Sequence, residues 1–209
     1  MYRSVGLFHS ALATLPDVLD LDHALSDGGL PALPERAEAL VRRVQAPARL
    51  AAHLRAVHAA ALDLADRLGD RFPGLAYDRE AVLFGAAIHD IGKTVHVEEL
   101  SGPGSAHEME GYRLLLSLDV EERLARFART HAAWDGPGVV VEDLLVALAD
   151  KVWKAKRVTE LEDLVVERLV AATRREAWEV FSCLDEILFA IAGRADDRLA
   201  FQSRYPISS

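Results

Sequence analysis

The stretch GAAIHDIGK, residues 85–93, places an imidazole and a carboxylate side by side at the end of an apolar helical run. The three residues before it are Val-Leu-Phe, and Gly92 favours a helix end just after Ile91. Two ionisable groups in an apolar setting need polar partners, and one metal ion can be the partner of both. This stretch therefore predicts a helix end that contributes to a metal site, with further ligands coming from other helices.

The composition favours a helical fold. Hydrophobic residues make up 51% of the 209 residues and charged residues 27%, which suits one domain with a core and a polar surface. Alanine, leucine, arginine and glutamate recur throughout, whereas proline and glycine cluster between the periodic segments. Since no segment shows the alternating pattern of a strand, we expect an all-α bundle of about six to eight helices.

The chain divides into three parts on these patterns. Residues 1–34 contain several prolines and glycines and little apolar periodicity, which indicates a poorly defined extension with one short helix. Residues 35–200 should form the helical domain that carries the site, and residues 201–209 a C-terminal tail.

Turn and capping residues locate the helices of the domain. A helix over residues 47–68 begins at a proline and has apolar residues every three to four positions. Asp78 suits the N-cap of the helix that carries the opening stretch, and Ser105 begins a Ser-x-x-Glu capping box. Further helices are expected over residues 119–133, where Asp119 and Glu122 repeat the capping pattern, and over residues 159–192.

Charge and cysteine content narrow the function classes. A net charge of −9 argues against a protein that coats nucleic acid. The single cysteine, Cys183, excludes an intramolecular disulfide and is compatible with a reducing compartment. No apolar run approaches the ~20 residues that span a bilayer, and the first residues lack the apolar core of a signal sequence. We therefore expect a cytoplasmic protein that is not bound to a membrane.

Several ionisable residues lie on apolar helix faces. His58, His89, His131 and Asp150 each share a face with apolar residues three or four positions away, and His107 lies in the first turn of its helix. A single histidine on such a face is more often a hydrogen-bonded core residue than a ligand. So many ionisable groups facing one interior would each cost several kcal/mol without compensation, which a shared metal centre supplies.

The motifs HDIGK, residues 89–93, and ALADK, residues 147–151, together with a histidine on an earlier helix, resemble the HD-domain superfamily of metal-dependent phosphohydrolases. The resemblance covers about residues 47–160. It implies a helical bundle in which one metal ion is held by His58, His89, Asp90 and Asp150.

His107 and His131 extend the resemblance to branches of the superfamily that bind two metals. In those branches the aspartate of the pair bridges the ions and two further histidines hold the second ion, as in the diadenosine-tetraphosphate hydrolase branch. The resemblance thus implies that Asp90 bridges two divalent ions. Iron or manganese is the first expectation, with magnesium, cobalt, nickel and zinc as alternatives.

The first histidine ligand has two candidates. His53 and His58 lie five residues apart on one helix, which separates their side chains by about 140°, so both cannot face one ion. We favour His58 because it lies closer to the apolar run and to the expected spacing from His89, and His53 stays open.

The resemblance implies hydrolysis of a phosphoester or phosphoanhydride by a metal-activated water, with Asp90 at the reacting centre. Lys93 could act in catalysis by holding a phosphate oxygen, or could only stabilise a helix end. Lys151, Lys154 and Arg157 belong to a basic run that suits a polyanionic substrate, although a solvated basic face would have the same pattern. We therefore expect a small, nucleotide-like phosphorylated substrate.

Two other functions fit the same residues. Mixed-valent di-iron oxygenases of the superfamily share the layout of six ligands, so the ligands alone do not separate hydrolysis from oxygen chemistry. A non-catalytic HD module that signals or scaffolds is the other alternative, but such a module has no need of an intact ligand set. The net charge argues against nucleic acid as a partner, and a homo-oligomer stays open.

Overall fold

The computed structural model describes residues 20–207, and these residues fold entirely into helices and connecting turns, without a strand. The prediction of an all-α bundle is confirmed. The α-helices of this part of the chain are α1 (Leu21–Ser26), α2 (Glu35–Arg43), α3 (Ala48–Arg71), α4 (Arg79–Ile88), α5 (Ala106–Ser117), α6 (Glu122–Ala125), α7 (Phe127–Thr130), α8 (Val141–Val152), α9 (Thr159–Thr173), α10 (Ala177–Ala192) and α11 (Ala195–Ser203). Two 3₁₀ turns, Ile91–Thr94 and Val97–Leu100, lie between α4 and α5.

The described residues contain more helices than the six to eight that the sequence predicts. The helix expected over residues 119–133 begins only at Glu122 and is interrupted at Arg126, so that α6 and α7 have four residues each. The helix expected over residues 159–192 breaks at Arg174, whose φ of 56° is the left-handed conformation that ends many helices. Helix α11 is the third addition, and it crosses the boundary that we placed at residue 200.

Helix α3 is the centre of the bundle. It follows Pro47, has 24 residues, and packs against α1, α4, α8, α10 and α11. The apolar positions that define its predicted stripe are all buried: Leu50, Leu54, Val57, Ala61, Leu64 and Leu68. Alanines fill much of the remaining surface and are also buried, so that neighbouring helices approach α3 closely from several sides. Both His53 and His58 therefore point into protein, in different directions.

Helix α4 brings the opening stretch into the core. The Asp78 side chain accepts a hydrogen bond from the Ala81 amide at 2.9 Å, which confirms the predicted N-cap. The helix ends at Ile88, three residues earlier than expected, and the chain then turns into the first 3₁₀ turn. A Cβ on Gly92 would lie 2.0 Å from the His107 carbonyl oxygen, so only a glycine lets this turn pack so closely on α5.

Helix α5 begins where the sequence predicts but is capped by a different residue. The Ser105 side chain makes no capping hydrogen bond. The carboxylate of Glu99 instead accepts hydrogen bonds from the amides of Ala106, at 3.1 Å, and His107, at 3.2 Å. The predicted capping box is therefore wrong, because a carboxylate from the preceding 3₁₀ turn already satisfies these two amides.

The segment before α2 is attached to the core through Arg55. The guanidinium of this buried residue donates hydrogen bonds to the carbonyl oxygens of Ala24, Asp27, Leu30 and Pro31. Helix α1 packs on α3 beside these contacts. Residues 1–19 of the extension that we expected lie outside the described residues. Among residues 20–207, no helix has the length and apolar character that crossing a bilayer requires.

Candidate metal centre

Six ionisable side chains from five helical elements meet in the interior of the bundle. They are His53 on α3, His89 and Asp90 directly after α4, His107 in the first turn of α5, His131 directly after α7, and Asp150 on α8. None of these side chains is more than 12% exposed. Burial of so many ionisable groups in an apolar core costs free energy unless hydrogen bonds, ion pairs or metal ions compensate for it.

The two carboxylate oxygens of Asp90 face different pairs of histidines. Oδ2 lies 3.1 Å from Nε2 of His53 and 3.6 Å from Nε2 of His89. Oδ1 lies 3.1 Å from Nε2 of His107 and 3.4 Å from Nε2 of His131. These contacts form two groups that share Asp90, and each group could hold a metal ion.

The imidazoles present their Nε2 atoms to this carboxylate. Nδ1 of His89 lies 3.0 Å from the Ala86 carbonyl oxygen, and Nδ1 of His131 lies 2.9 Å from that of Ala128. Because a carbonyl only accepts, the proton belongs on Nδ1, and the Nε2 lone pair is left facing Asp90. Lone pairs and a carboxylate repel each other unless a proton or a cation lies between them.

Hydrogen bonding inside the protein leaves several of these nitrogens unsatisfied. Nε2 of His53, His89 and His107 is buried and has no hydrogen-bond partner among the described residues. Imidazole and carboxylate are common ligands of zinc, iron and related divalent ions. The donor set, its unsatisfied nitrogens and the shared carboxylate therefore fit metal ions.

Asp150 completes the group on the side of His89. Its Oδ1 lies 3.4 Å from Nε2 of His89, and its Oδ2 accepts a hydrogen bond from Nζ of Lys151 at 2.6 Å. Lys151 therefore orients a carboxylate of the cluster and partly neutralises it. This contact occupies a lysine that we predicted to bind substrate.

Burial and mutual contacts shift the pKa values of the cluster. Burial acts to raise the pKa of the Asp90 carboxyl, but the imidazoles around it, His89 foremost, hold that pKa well below its ordinary value. The pKa of Asp150 is also lowered, because its contact with His89 outweighs burial. Burial lowers the pKa of His53. Both carboxylates are therefore ionised at neutral pH, which is the form that binds metal.

The structure corrects our preference for His58. Its Nδ1 lies 3.3 Å from the Leu83 carbonyl oxygen, and burial lowers its pKa, as expected for a neutral core histidine. His53, 140° or so away around the helix, is the one whose Nε2 reaches Asp90. The rotation of α3 about its axis relative to α4 decides which of the two histidines faces Asp90. The spacing of the histidines along the sequence does not reveal this rotation.

A cavity of about 280 Å³ opens beside the cluster. Lys93 and Lys154, two of the four cations that we predicted to bind substrate, line it together with His53. Lys93 also donates a hydrogen bond from Nζ to Oδ2 of Asp90, at 2.5 Å. A larger cavity, of about 440 Å³, is lined by residues such as Arg126 and contains none of the six clustered residues.

Arg157, the fourth predicted cation, is engaged elsewhere. It donates hydrogen bonds from Nε and Nη2 to the two carboxylate oxygens of Glu162, at 2.8 and 2.7 Å, and contacts Asp185 at 2.8 Å. It does not line the cavity. The structure therefore does not bring Arg157 to the cavity, because a bidentate carboxylate on α9 holds its guanidinium.

Sequence reasoning missed Glu99 and Arg49, which lie beside the site. Glu99 accepts a hydrogen bond from Nδ1 of His107 and thereby orients that imidazole. Hydrogen bonds from His107 lower the pKa of Glu99 although burial opposes this. Arg49 and Trp153 line the cavity. Arg49 lies one turn before His53, so the correct choice of that histidine would have pointed to it.

Comparison with known proteins gives a family but no individual relative. The family model of the HD domain matches residues 50–155, just over half of the chain. No curated protein and no solved structure matches at a significant level. All six clustered residues lie within the matched range. The helical fold, the His-Asp pair and this match together establish that the chain belongs to the HD-domain family.

Proposed function

We propose that this protein is a metal-dependent phosphohydrolase with a binuclear metal centre, acting on a small nucleotide-like phosphoester or phosphoanhydride. His53, His89, Asp90 and Asp150 would hold one ion, and Asp90, His107 and His131 the other. When bound, such ions lower the pKa of a coordinated water toward neutrality and stabilise negative charge on phosphoryl oxygens.

The division of the Asp90 oxygens between two histidine pairs carries this proposal. A carboxylate that bound a single ion would need imidazole ligands near only one of its two oxygens. Here each oxygen has an imidazole nitrogen at 3.1 Å and a second one within 3.6 Å. Paired ions that share a carboxylate are a common arrangement in enzymes that hydrolyse phosphate esters.

Lys93 is suited to contact the reacting phosphoryl group. An ammonium group has three donors, and the bond to Asp90 uses one of them. Lys93 lines the cavity, so its other two donors can bind a non-bridging oxygen there and stabilise the charge that grows as water adds to phosphorus and the bond to the leaving group breaks. Its contact with Asp90 places Lys93 beside the ligands rather than at a distant helix surface.

The size of the cavity supports a small substrate. About 280 Å³ is at the lower end of the range for pockets that bind small molecules, and cations are prominent among the lining residues. A mononucleotide or a similarly small phosphorylated compound suits this volume, whereas a nucleic acid strand would need a longer basic surface than a protein of net charge −9 offers.

Metal analysis paired with an activity screen tests the proposal. We expect protein purified without oxygen to contain two metal equivalents and to release phosphate from at least one nucleoside phosphate or from p-nitrophenyl phosphate. Asp90→Asn should lose both the metal and the activity. Asp163→Asn makes the same change at an exposed position of α9 and should keep both.

The alternatives predict different results in the same experiment. Iron-dependent oxygen consumption without phosphate release would show that the protein is an oxygenase and not a hydrolase. Full retention of phosphate release by Asp90→Asn would contradict the proposed centre. Protein that binds no metal under any loading condition would favour a non-catalytic module.

A further inference from the structure

The cavity beside the cluster is unusually cationic for this chain. Its wall includes Arg49, His53, Lys93, Trp153, Lys154 and Gln202, and no aspartate or glutamate among residues 20–207 lines it. The protein as a whole carries a net charge of −9. A local reversal of charge in a concave site next to metal-binding side chains indicates an anionic ligand.

Two donors on this wall lack an acceptor. Nε of Arg49 and the indole Nε1 of Trp153 are buried, and neither has a hydrogen-bond partner among residues 20–207. Trp153 is only 3% exposed. A buried N–H without an acceptor is costly, and both residues line the same cavity, so each N–H would gain from an acceptor that a ligand brings into it.

Arg49 has no compensating carboxylate in the described part of the chain. Its Nη1 donates to the Gln202 carbonyl oxygen at 2.8 Å, which fixes the guanidinium without neutralising it. Burial lowers the pKa of Arg49. The guanidinium of Arg157, by contrast, forms ion pairs with the carboxylates of Glu162 and Asp185.

The charges on the wall exceed those that one phosphoryl group needs. Lys93 is paired with Asp90 and belongs with the reacting group. Lys154 lies 5.6 Å from the Trp153 ring centre and, like Arg49, has no carboxylate within ion-pair distance among the described residues. These two charges are left for a second anionic group on the substrate.

We propose that Arg49, Lys154 and the indole N–H of Trp153 bind a second phosphoryl group, so that the protein selects substrates with two phosphoryl groups over monoesters with an uncharged leaving group. This inference rests on the proposed hydrolase function, since it concerns the substrate of the same site. A nucleoside diphosphate is one compound of this class, and inorganic pyrophosphate is the smallest probe of it.

Binding of pyrophosphate and orthophosphate to the metal-loaded protein tests this directly. We expect Arg49→Gln to weaken pyrophosphate binding by roughly tenfold or more, the effect of losing a charged hydrogen-bond donor, and to change orthophosphate binding by less than about twofold. Lys154→Gln, at an exposed position that does not threaten folding, should act in the same direction. Arg113→Gln removes the same charge from an exposed position on α5 and should change neither affinity.

Activity measurements separate this inference from the function on which it rests. If wild-type protein hydrolyses ADP and p-nitrophenyl phosphate, Arg49→Gln should reduce kcat/KM for ADP and leave that for p-nitrophenyl phosphate nearly unchanged. An equal loss for both compounds, or none for either, would overturn the second phosphoryl site. If the wild-type protein hydrolyses nothing, the hydrolase proposal fails, and the pyrophosphate measurement alone decides the inference.

Discussion

Nε2 of His53 lies 3.1 Å from Oδ2 of Asp90, although the two residues belong to different helical elements 37 positions apart in the sequence. His58 occupies the same helix as His53 but contacts the carbonyl of Leu83. The two histidines thus offer a matched pair of substitutions, one at the cluster and one in the core.

We predict that His53→Ala loses about one metal equivalent, because an imidazole ligand disappears, while His58→Ala keeps the full metal content. His58→Ala should instead lower the free energy of unfolding by about 1–3 kcal/mol, since it removes a buried side chain and its hydrogen bond. Elemental analysis and urea unfolding of both variants make the comparison. Loss of metal from His58→Ala alone would reverse the assignment.

Glu99 should determine metal affinity at the second group without contacting the ion. Its carboxylate holds Nδ1 of His107, and Glu99→Gln keeps the shape while removing the charge. We expect affinity for the second metal equivalent to fall about 10- to 100-fold, the usual effect of changing the residue behind a histidine ligand.

Glu98→Gln is the control for this change. The neighbouring side chain is 69% exposed, and its one side-chain hydrogen bond among the described residues is with His96, so affinity at the group of Asp90, His107 and His131 should not change. Titration of the metal-free variants with Mn²⁺ gives both values. Equal affinities for Glu99→Gln and wild type would show that His107 needs no orienting partner.

Gly92 should tolerate no side chain. A Cβ there would lie 2.0 Å from the carbonyl oxygen of His107 and 2.6 Å from the amide nitrogen of Gly111, both backbone atoms. Gly92→Ala must therefore separate the 3₁₀ turn from α5, and we expect a loss of about 3 kcal/mol or more together with weaker metal binding.

Gly69→Ala provides the opposite case. A Cβ at this exposed helical position meets nothing within 4 Å, so alanine should leave stability unchanged or raise it by up to about 1 kcal/mol. Thermal melts of the two variants test the contrast. A Gly92→Ala protein as stable as wild type would mean that the turn and α5 can separate at little cost.

Arg55 should contribute strongly to stability although it forms no described ion pair. Replacement by methionine leaves four backbone carbonyls without their donor, for which we expect a loss of about 3 kcal/mol or more. Arg67→Met, at a 41% exposed residue paired with Asp63, should cost less than about 1 kcal/mol. Urea unfolding measures both, and similar losses would contradict the role of the carbonyl contacts.

Local patterns were sufficient for much of the fold and for part of the site. His89, His131 and Asp150 each follow apolar residues three or four positions earlier, and this local pattern was enough to predict that they point inward. Asp90 reaches the cluster from the turn that follows α4. The same reasoning failed for His53 and His58, since α3 is buried around most of its circumference and its faces are not distinguished by polarity.

Contacts between elements account for the other errors. Arg157 looked like part of a basic run, but α8 ends at Val152 and a carboxylate on the next helix holds its guanidinium. Glu99 could not be identified from the sequence, because its role depends on a 3₁₀ turn that brings its side chain back to the start of α5. Both are consequences of how segments meet, which neither spacing nor composition records.

Helix α11 lies beyond the residues that match the family, yet Leu199 and Gln202 on that helix form part of the cavity wall. The clustered side chains all come from inside the matched range. The wall of the cavity therefore combines residues from the matched range, such as Lys93 and Lys154, with residues of a helix outside it. Substitutions at Leu199 and Gln202 would therefore change the shape of the cavity without altering any of the six clustered side chains.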